Sequence, residues 1–407
     1  MATLGLAGCS SHTAQPPTST TSRPKARGTT VPPVDPTNIY AGIGPDKFSP
    51  AIAGDLPRVY VPQGIADRVT IIDPATGQPV GSFHAGRETQ HIVPSWDLRT
   101  LWVLDNASND VIPIDPRTGR PGRKIKVDDP YNLYFTPDGS SAIVVAEARE
   151  RLDFRDPHTM KLQFSLPVPG CSGINHADYS ADYSYLLVTC EFAGSIAKID
   201  MVHHRVVGLL QLGTPMSGAE SAQTTSMPGM PMPTTGTTPP DPGTPSMPQD
   251  VRAGPDGRHF YVADMEAGGL HVVDGESFTV VGFIGTGVGT HGITPSRDGR
   301  RLYVANRGST SVTGRPRGAG SVSVVDPASN TVTANWAVPD GGSPDMGNIS
   351  ADGTQLWLSG RFDAEVYVFD TTSGTLLKRI PVGLGPHGLT VWPQPGSFSL
   401  GHTGNMR

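Results

Sequence analysis

Residues 302–306 read LYVAN and residues 321–326 read SVSVVD, two short apolar strands of which the second ends in Asp. The same pair, followed by a tight turn, a third strand and a Gly-rich link into a fourth, recurs seven times between residues 58 and 396. The copies begin at Arg58, Arg99, Ser140, Ser184, Arg258, Arg300 and Thr354, which are 41, 41, 44, 74, 42 and 54 residues apart. Four short strands in a period of this length are typical of propeller blades. The sequence therefore predicts an all-β protein, a seven-bladed β-propeller with four antiparallel strands per blade.

The order of the strands predicts how the ring closes. If strands A to D run from the ring axis outward, each repeat supplies strands B, C and D of one blade and then strand A of the next. The last copy ends in PHGLTVW at residues 386–392, an A strand with no B strand after it. We expect it to pair with the first B strand, at residues 58–61. A C-terminal strand would then complete the N-terminal blade, and the ring would leave no sheet edge exposed.

The repeat also carries a family resemblance. LYVAN with SVSVVD resembles the YVTN-type β-propeller repeat of exported bacterial and archaeal proteins, and the likeness extends over all seven copies. The third and fourth copies depart most, with Ala146-Glu147 and Thr189-Cys190 where Ala-Asn stands in that repeat. The resemblance implies the propeller fold. It implies no particular activity, because propellers of this kind bind ligands, carry cofactors or catalyse.

The N-terminal sequence points to export. Residues 6–9 read LAGC, which resembles the lipobox of bacterial lipoproteins, in which Cys9 would become the lipidated N-terminus. The alternative is a chance tetrapeptide, since the positively charged region that usually precedes such a motif is missing. We assign residues 1–9 to a signal remnant, 10–57 to a Ser/Thr/Pro-rich tether and lead-in, 58–396 to the propeller and 397–407 to a C-terminal tail. The expected location is the outer side of the cytoplasmic membrane or the periplasm, with the lipid on Cys9 as the membrane anchor.

Charge argues against one class of partner. The chain has 31 Lys and Arg residues against 37 Asp and Glu residues, a formal net charge of −6, and no stretch in which the basic residues cluster. The positive surface that a duplex-binding protein needs is therefore not expected. We expect no nucleic-acid partner and a monomeric protein.

The strand order also decides which loops share a face. The D-to-A and B-to-C loops open on the top of the ring, and the A-to-B and C-to-D turns lie below. Both long insertions, at residues 213–248 and 308–319, fall in top loops. Long loops on one face of a repeat protein are where binding usually occurs.

Histidines collect on the same face, at the start of A strands: His91, His176, His291 and His387. We align them with Asn132, Asp250 and Met346 in the other blades. Imidazoles at equivalent places in a ring can converge on a metal ion, because neutral imidazole is the commonest protein metal ligand. The alternative is a set of hydrogen-bonded residues that line a wet channel.

The larger insertion adds thioethers to this picture. It contains Met227, Met230 and Met232 in a Pro-rich segment that we expect to be disordered, so these methionines are not expected in a core. Thioethers are soft ligands that prefer copper, above all Cu(I). Its composition resembles methionine-rich segments of bacterial copper-handling proteins, which makes copper the candidate cofactor. The alternative is a plain low-complexity linker.

Two cysteines remain. Cys171 lies in a D-to-A loop and Cys190 ends the neighbouring B strand at the same top edge, so the two sulfurs should be close. In an exported protein this favours a disulfide. The alternative is a thiolate metal site shared with His176.

The sequence carries no GxSxG, HExxH or P-loop motif, and no CxxCH for covalent haem attachment. Acidic and basic residues do fall in the B-to-C loops, among them Glu147, Glu191, Arg307 and Arg361. We therefore expect a cell-envelope binding module with a top-face funnel for a small ligand, a metal ion or a protein partner. The alternative is a propeller enzyme of the lactonase type, since a His, Arg and Glu set in a funnel can hydrolyse lactones.

Overall fold

The predicted propeller is confirmed. The computed structural model describes residues 34–35, 37–215, 240–241 and 243–407. Within these ranges the chain forms 29 strands in seven antiparallel sheets, and the helical segments are three 3₁₀ turns at Ala41–Ile43, Pro50–Ile52 and Glu147–Arg149. The seven sheets are the seven blades.

The first four blades contain strands β1 to β16 and the C-terminal strand β29. Blade 1 contains β29 (Thr390–Trp392), β1 (Arg58–Gln63), β2 (Arg68–Asp73) and β3 (Gln78–His84). Blade 2 contains β4 (Thr89–Pro94), β5 (Leu101–Asp105), β6 (Asp110–Asp115) and an outer strand split into β7 (Arg120–Pro121) and β8 (Ile125–Lys126). Blade 3 contains β9 (Pro130–Phe135), β10 (Ala142–Ala146), β11 (Arg151–Arg155) and β12 (Leu162–Pro167). Blade 4 contains β13 (Ile174–Tyr179), β14 (Tyr185–Cys190), β15 (Ser195–Asp200) and β16 (Arg205–Gln211).

The last three blades are regular. Blade 5 contains β17 (Pro248–Ala253), β18 (His259–Asp264), β19 (Gly269–Asp274) and β20 (Thr279–Gly285). Blade 6 contains β21 (Thr290–Pro295), β22 (Leu302–Asn306), β23 (Ser321–Asp326) and β24 (Thr331–Ala337). Blade 7 contains β25 (Pro344–Ile349), β26 (Gln355–Gly360), β27 (Glu365–Asp370) and β28 (Leu376–Pro381).

The C-terminal strand closes the ring as predicted. β29 pairs antiparallel with β1, with Val59 opposite Val391 and Tyr60 opposite Thr390. The seam is stabilised by apolar packing between neighbouring blades, where Val59 and Val61 belong to one cluster with Trp357 of blade 7. The inner strands of the blades are buried on both faces, whereas outer strands such as β16 and β24 alternate exposed and half-buried residues because one face meets water.

Every A strand carries a bulge near its top. In blade 6, Thr290 pairs with Asn306 and Ile293 with Val304, so His291 and Gly292 stand opposite one residue. Corresponding shifts occur in blades 1 to 5 and 7. A bulge places one extra residue in a strand and redirects its side chains. Two successive residues of each A strand are thereby placed near the axis.

Residues 397–407, assigned to a tail from the sequence, instead form a hairpin that enters the channel from below. Ser399 bridges Met406 across the hairpin, and Gly401 bridges Tyr134 of blade 3. The backbone N–H of His402, at the tip, donates to the Leu133 carbonyl at 2.8 Å. Apolar and polar side chains of the hairpin are buried together, among them Phe398, Leu400, Thr403, Asn405 and Met406. The bottom of the channel is therefore filled by the chain itself.

The end of the predicted tether is also part of the fold. Ile39, Tyr40, Ile43 and Ile52 are buried under the ring. The Tyr40 hydroxyl donates to the Ala253 carbonyl at 2.6 Å, and its ring lies 5.3 Å from the guanidinium of Arg407. The lead-in and the C-terminal hairpin thus cover the bottom face together.

The top face carries both insertions. Thr214 and Pro245 form a bridge, so the larger insertion leaves and rejoins the ring at one place between blades 4 and 5. Met227, Met230 and Met232, and the lipobox with Cys9, lie outside the described residues. In the part of the chain that is described, no helix is long and apolar enough to span a membrane.

Candidate functional site in the channel

Five imidazoles meet inside the ring. Each of them exposes at most 2% of its surface: His91, His176, His291, His387 and His402. The ring centroids of neighbouring members lie between 4.8 and 6.4 Å apart. The four histidines named from the sequence therefore converge, and the hairpin adds a fifth.

The sequence predicts that the four histidines stand at equivalent positions of the ring, and this prediction is wrong. The bulge puts His91 and His176 at its second position, level with Asn132 and Asp250. His291 stands one residue earlier, at the position that Asp345 occupies in blade 7. His387 likewise follows directly after the paired residue Pro386. The extra residue in each A strand is the physical reason, because a shift of one residue redirects a side chain.

His91 and His176 form the centre of the group. His91 Nδ1 lies 2.9 Å from the backbone carbonyl of Tyr131, so this nitrogen carries the proton and Nε2 keeps its lone pair. His176 Nε2 lies 3.3 Å from His91 Nε2, and His176 Nδ1 is buried without a hydrogen-bond partner. Two nitrogens bound tetrahedrally to one ion at about 2.0 to 2.1 Å stand roughly 3.3 to 3.4 Å apart. The pair therefore has the spacing of two ligands of one metal ion, and the same distance is that of a hydrogen bond from His176 Nε2–H to His91 Nε2.

His402 approaches this pair from below. His91, His176 and His402 each bring one ring nitrogen into a group whose members all lie within 4.8 Å of one another. His402 Nδ1 accepts from Arg252 at 3.0 Å and from the Thr403 backbone N–H at 2.6 Å. Its proton must therefore sit on Nε2, whose nearest carboxylate, Asp250, is 3.5 Å away. His402 is a third candidate ligand, but it has to move this proton to Nδ1 and lose the two bonds that Nδ1 accepts.

His291 and His387 share one carboxylate. His387 Nδ1 lies 2.6 Å from one oxygen of Asp345, and His291 Nδ1 lies 2.9 Å from the other. Arg307 donates to Asp345 at 2.8 Å and to His291 Nε2 at 2.7 Å. Arg307 thus occupies Nε2 of His291, and its Nδ1 lies against Asp345, so His291 positions Arg307 and is a poor metal ligand. A carboxylate behind His387 is the usual support of a ligating imidazole.

Burial keeps the imidazoles neutral. It lowers the pKa of His91 to about 3 and that of His291 to about 4. Burial, with repulsion from neighbouring imidazoles or guanidinium groups, also holds the pKa of His176, His387 and His402 well below the usual value. A neutral imidazole offers a lone pair at physiological pH. These histidines are therefore not imidazolium ions that would have to be deprotonated before they could bind a metal ion.

Two arginines and two glutamates lie above the imidazoles. Arg307 and Arg361 follow the B strands of blades 6 and 7, and Glu147 and Glu191 follow those of blades 3 and 4. Burial, then repulsion from Glu191, raises the pKa of Glu147 well above its usual value. Burial raises that of Glu191 too, although Gln249 and Arg307 oppose the rise. Other rim acids serve the fold: Asp264 accepts from Ser246 and His271, Asp363 from Ser343 and Tyr367, and Glu365 from Arg317 and Arg379.

The cysteines stand apart from this group as a disulfide. The Cys171 and Cys190 sulfurs are 2.02 Å apart and the Cα atoms 4.7 Å apart. Cys190 pairs with Ile174 at the ladder position that Asp105 and Asn306 hold in blades 2 and 6. In those blades the hydroxyls of Thr89 and Thr286, at the D-to-A turn, donate hydrogen bonds to the side chains of Asp105 and Asn306. The disulfide ties the same turn in blade 4, and its sulfurs are not thiolate ligands for a metal.

Sequence reasoning missed His402, Asp345 and Arg252. The flanking glycines were the available signal for His402, because Gly401 and Gly404 adopt φ of 111° and 128°. These values belong to a conformation that favours glycine and marks a tight turn. A side chain at Gly401 would also clash with the backbone of Leu133.

Comparisons with known proteins agree with the architecture. The family model for YNCE-like beta-propellers matches residues 242–395, the part that contains blades 5 to 7 and β29. No curated protein matches the chain. The family match therefore supports the propeller over less than half of the sequence.

Solved structures share the fold at low identity. Hydrazine synthase of Kuenenia stuttgartiensis is 18% identical, with a TM-score of 0.57, over 74% of this chain and 88% of that one. A functionally unknown protein from Desulfotomaculum acetoxidans is 16% identical, with a TM-score of 0.59, over 83% and 99%. Dihydro-heme d1 dehydrogenase NirN in complex with DHE is 15% identical, with a TM-score of 0.55, over 85% and 76%. At these identities the similarity concerns the fold alone.

Proposed function

We propose that this protein is an exported cell-envelope binding module whose channel holds a transition-metal ion, with copper as the preferred metal. The observation that carries the proposal is the 3.3 Å separation of the Nε2 atoms of His91 and His176. Both rings are fully buried, and His402 faces them from the hairpin. Neutral imidazoles suit copper, zinc, nickel and iron.

The surroundings support a ligand role for these rings. The Tyr131 carbonyl fixes the tautomer of His91, as the outer partners of metal-bound histidines commonly do. When Nε2 of His176 binds the ion, its proton can move to the buried Nδ1, and the hydrogen bond to His91 Nε2 is exchanged for the bond to the metal. His402 must move its proton to Nδ1, which costs it the two bonds that this nitrogen accepts. We therefore assign His91 and His176 as primary ligands and His402 as the weaker third.

The choice of copper rests on composition. Divalent copper lies at the top of the general affinity order of imidazole sites, and thioethers favour Cu(I). The larger insertion carries Met227, Met230 and Met232, and its ends are joined at Thr214 and Pro245 on the top face. We propose that these methionines deliver or guard Cu(I). Anchoring through Cys9 would place the module on the outer side of the membrane, where copper is encountered.

The test is metal binding by the purified full chain after dialysis against a chelator. We expect one Cu(I) or Cu(II) per chain, bound more tightly than Zn(II) in competition assays. His91→Asn and His176→Asn should each weaken binding about 100-fold, and His402→Asn about tenfold, following the usual cost of lost ligands and their supports. Equal copper affinity in the wild type and the His91→Asn/His176→Asn double variant would refute the site.

His84→Asn is the matched control. His84 also has Nδ1 against a backbone carbonyl, that of Asp67 at 2.8 Å, but it lies on an exposed outer strand. This substitution should leave the copper affinity unchanged. A loss equal to that of His91→Asn would show that the assay reports surface binding.

The lactonase alternative is tested separately. A binding module should not hydrolyse a panel of lactones, and it should keep its copper when Glu147 and Glu191 are replaced by Gln. An enzyme should turn lactones over and lose this activity in the same variant. Turnover that disappears in the variant would replace the binding proposal with the enzymatic one.

A further inference from the structure

Arg361 is half-buried, and its guanidinium makes no ion pair with a described residue. Its Nη1 atom is buried and has no hydrogen-bond partner, and no carboxylate in the described part of the chain lies within salt-bridge distance of the guanidinium. The backbone N–H of Arg361 is bonded to the Ser343 carbonyl at 3.0 Å, which fixes the start of the loop. A buried donor without a partner is destabilising, so the Nη1 of Arg361 is a candidate to bind a ligand.

Arg361 stands at the upper mouth of the channel. It directly follows β26, as Arg307 directly follows β22, and both residues begin B-to-C loops of the top face. From this position Arg307 reaches His291 and Asp345. The ring of Phe362, the next residue of the blade 7 loop, lies 5.9 Å from the guanidinium of Arg307, so the two loops meet.

The neighbouring charges are already paired. Arg307 is bonded to Asp345 at 2.8 Å, and Asp345 in turn contacts two imidazoles. Glu191 accepts from Asn175 at 2.7 Å and is not in contact with Arg361. One positive charge at the mouth is therefore left without a direct partner.

We propose that Arg361 binds the carboxylate of a small monocarboxylic acid at the mouth of the channel. The planar guanidinium fork matches a carboxylate with two parallel hydrogen bonds. A single negative charge balances Arg361, whereas a dianion would bring one charge more than this one unpaired cation can balance. This site does not require the metal, and the metal site does not require Arg361.

The test measures the melting temperature of the metal-free full chain in acetate and benzoate against chloride at equal ionic strength. Ligands that bind only the folded state raise the melting temperature. We expect both carboxylates to stabilise the wild type and inorganic phosphate to do so less. Arg361→Gln should lose at least about tenfold in carboxylate affinity, and Arg361→Lys should lose much of it because it lacks the fork.

Two controls keep the result interpretable. Arg149→Gln removes an exposed arginine from the corresponding loop of blade 3, where it pairs with Asp128, and should bind carboxylates as the wild type does. Arg361→Gln should melt close to the wild type in chloride, because it removes no ion pair within the described chain. Equal stabilisation of the wild type and Arg361→Gln by acetate would overturn the proposal, as would no stabilisation of either. Stronger stabilisation by phosphate would overturn the assignment to a monocarboxylate.

Discussion

The Nε2 atoms of His91 and His176 lie 3.3 Å apart, although the two residues are 85 positions apart in the chain. Each ring projects from the bulge of its own A strand, in blades 2 and 4. The bulges and the ring closure bring the two nitrogens together. Anything that disturbs either feature should therefore disturb the site.

The hairpin at residues 397–407 should contribute both stability and a ligand. Its deletion removes buried Phe398, Leu400 and Met406, and it exposes Asp178, which accepts from Asn405 at 2.6 Å. We expect a cooperative unfolding transition with a melting temperature lower by roughly 10 °C or more. Copper affinity should fall as it does in His402→Asn.

Two further truncations, one larger at the C-terminus and one at the N-terminus, are compared with the deletion of the hairpin. Deleting residues 385–407 also removes β29, the innermost strand of blade 1, and should leave an insoluble or molten ring. Deleting residues 10–33 should leave the melting temperature unchanged. A chain without residues 385–407 that melted like the parent would contradict the closure.

His91 should make the metal-free protein sensitive to mild acid. Burial lowers its pKa to about 3, so below the ordinary histidine pKa the unfolded chain takes up a proton that the folded chain refuses. Stability therefore falls as the pH decreases. Burial raises the pKa of Asp105, Asp129 and Asp250 to about 6. These carboxyl groups therefore stabilise the folded protein as the pH falls, and they hide the contribution of His91 in the total pH dependence. The difference between variants isolates His91.

His91→Asn keeps an N–H toward the Tyr131 carbonyl and does not titrate. Between pH about 6.5 and about 5 it should lose about 2 kcal/mol less unfolding free energy than the wild type. Urea unfolding at both pH values measures this difference. Parallel losses in the two proteins would show that His91 is not buried in its neutral form.

The disulfide should form in an oxidising compartment. Protein from such a compartment should show neither Cys171 nor Cys190 as a free thiol after alkylation under denaturing conditions. The bond closes a loop with a sequence separation of 19, so Cys171→Ala/Cys190→Ala should lose about 3 kcal/mol of unfolding free energy. Two alkylated cysteines in the exported wild type would reject the bond and favour the thiolate alternative.

Asp345 should support the upper imidazoles without binding metal. Arg307, His291 and His387 together hold its pKa well below the usual value, so it is ionised in the folded protein. Asp345→Asn leaves Arg307 buried without its anion and should cost about 3 to 5 kcal/mol at neutral pH. Copper affinity should change less than in His176→Asn. An Asp345→Asn protein as stable as the wild type would contradict this account.

The methionines and the imidazoles should act separately on copper. Replacing Met227, Met230 and Met232 by Leu should weaken Cu(I) capture and spare Cu(II) bound in the channel. Replacing His91 and His176 should weaken Cu(II) binding most. Competition with Cu(I)- and Cu(II)-selective chelators measures each effect. Identical losses for both ions in the methionine variant would refute a separate role for the insertion.

The sequence by itself determined the number of blades, the four strands of each and the closing pair β1 and β29. These features follow from local strand patterns and turns, which repeat along the chain. It also indicated that the A-strand histidines face the axis and that Cys171 lies near Cys190. Both predictions depend only on the order of the strands and on whether a strand ends at the top or the bottom of its blade.

The tertiary structure decided which imidazoles can share an ion. His91 and His176 occupy the second position of their bulges, whereas His291 and His387 occupy the first. The pattern of a single strand does not show this one-residue difference, because a bulge is defined by the pairing with the partner strand. The inward path of residues 397–407, which brings His402 and Arg252 together, arises from contacts with Leu133, Tyr134 and Asp178 that are distant in the chain. Local sequence specifies strands and turns, whereas the position of a short segment inside a channel depends on the surface that surrounds it.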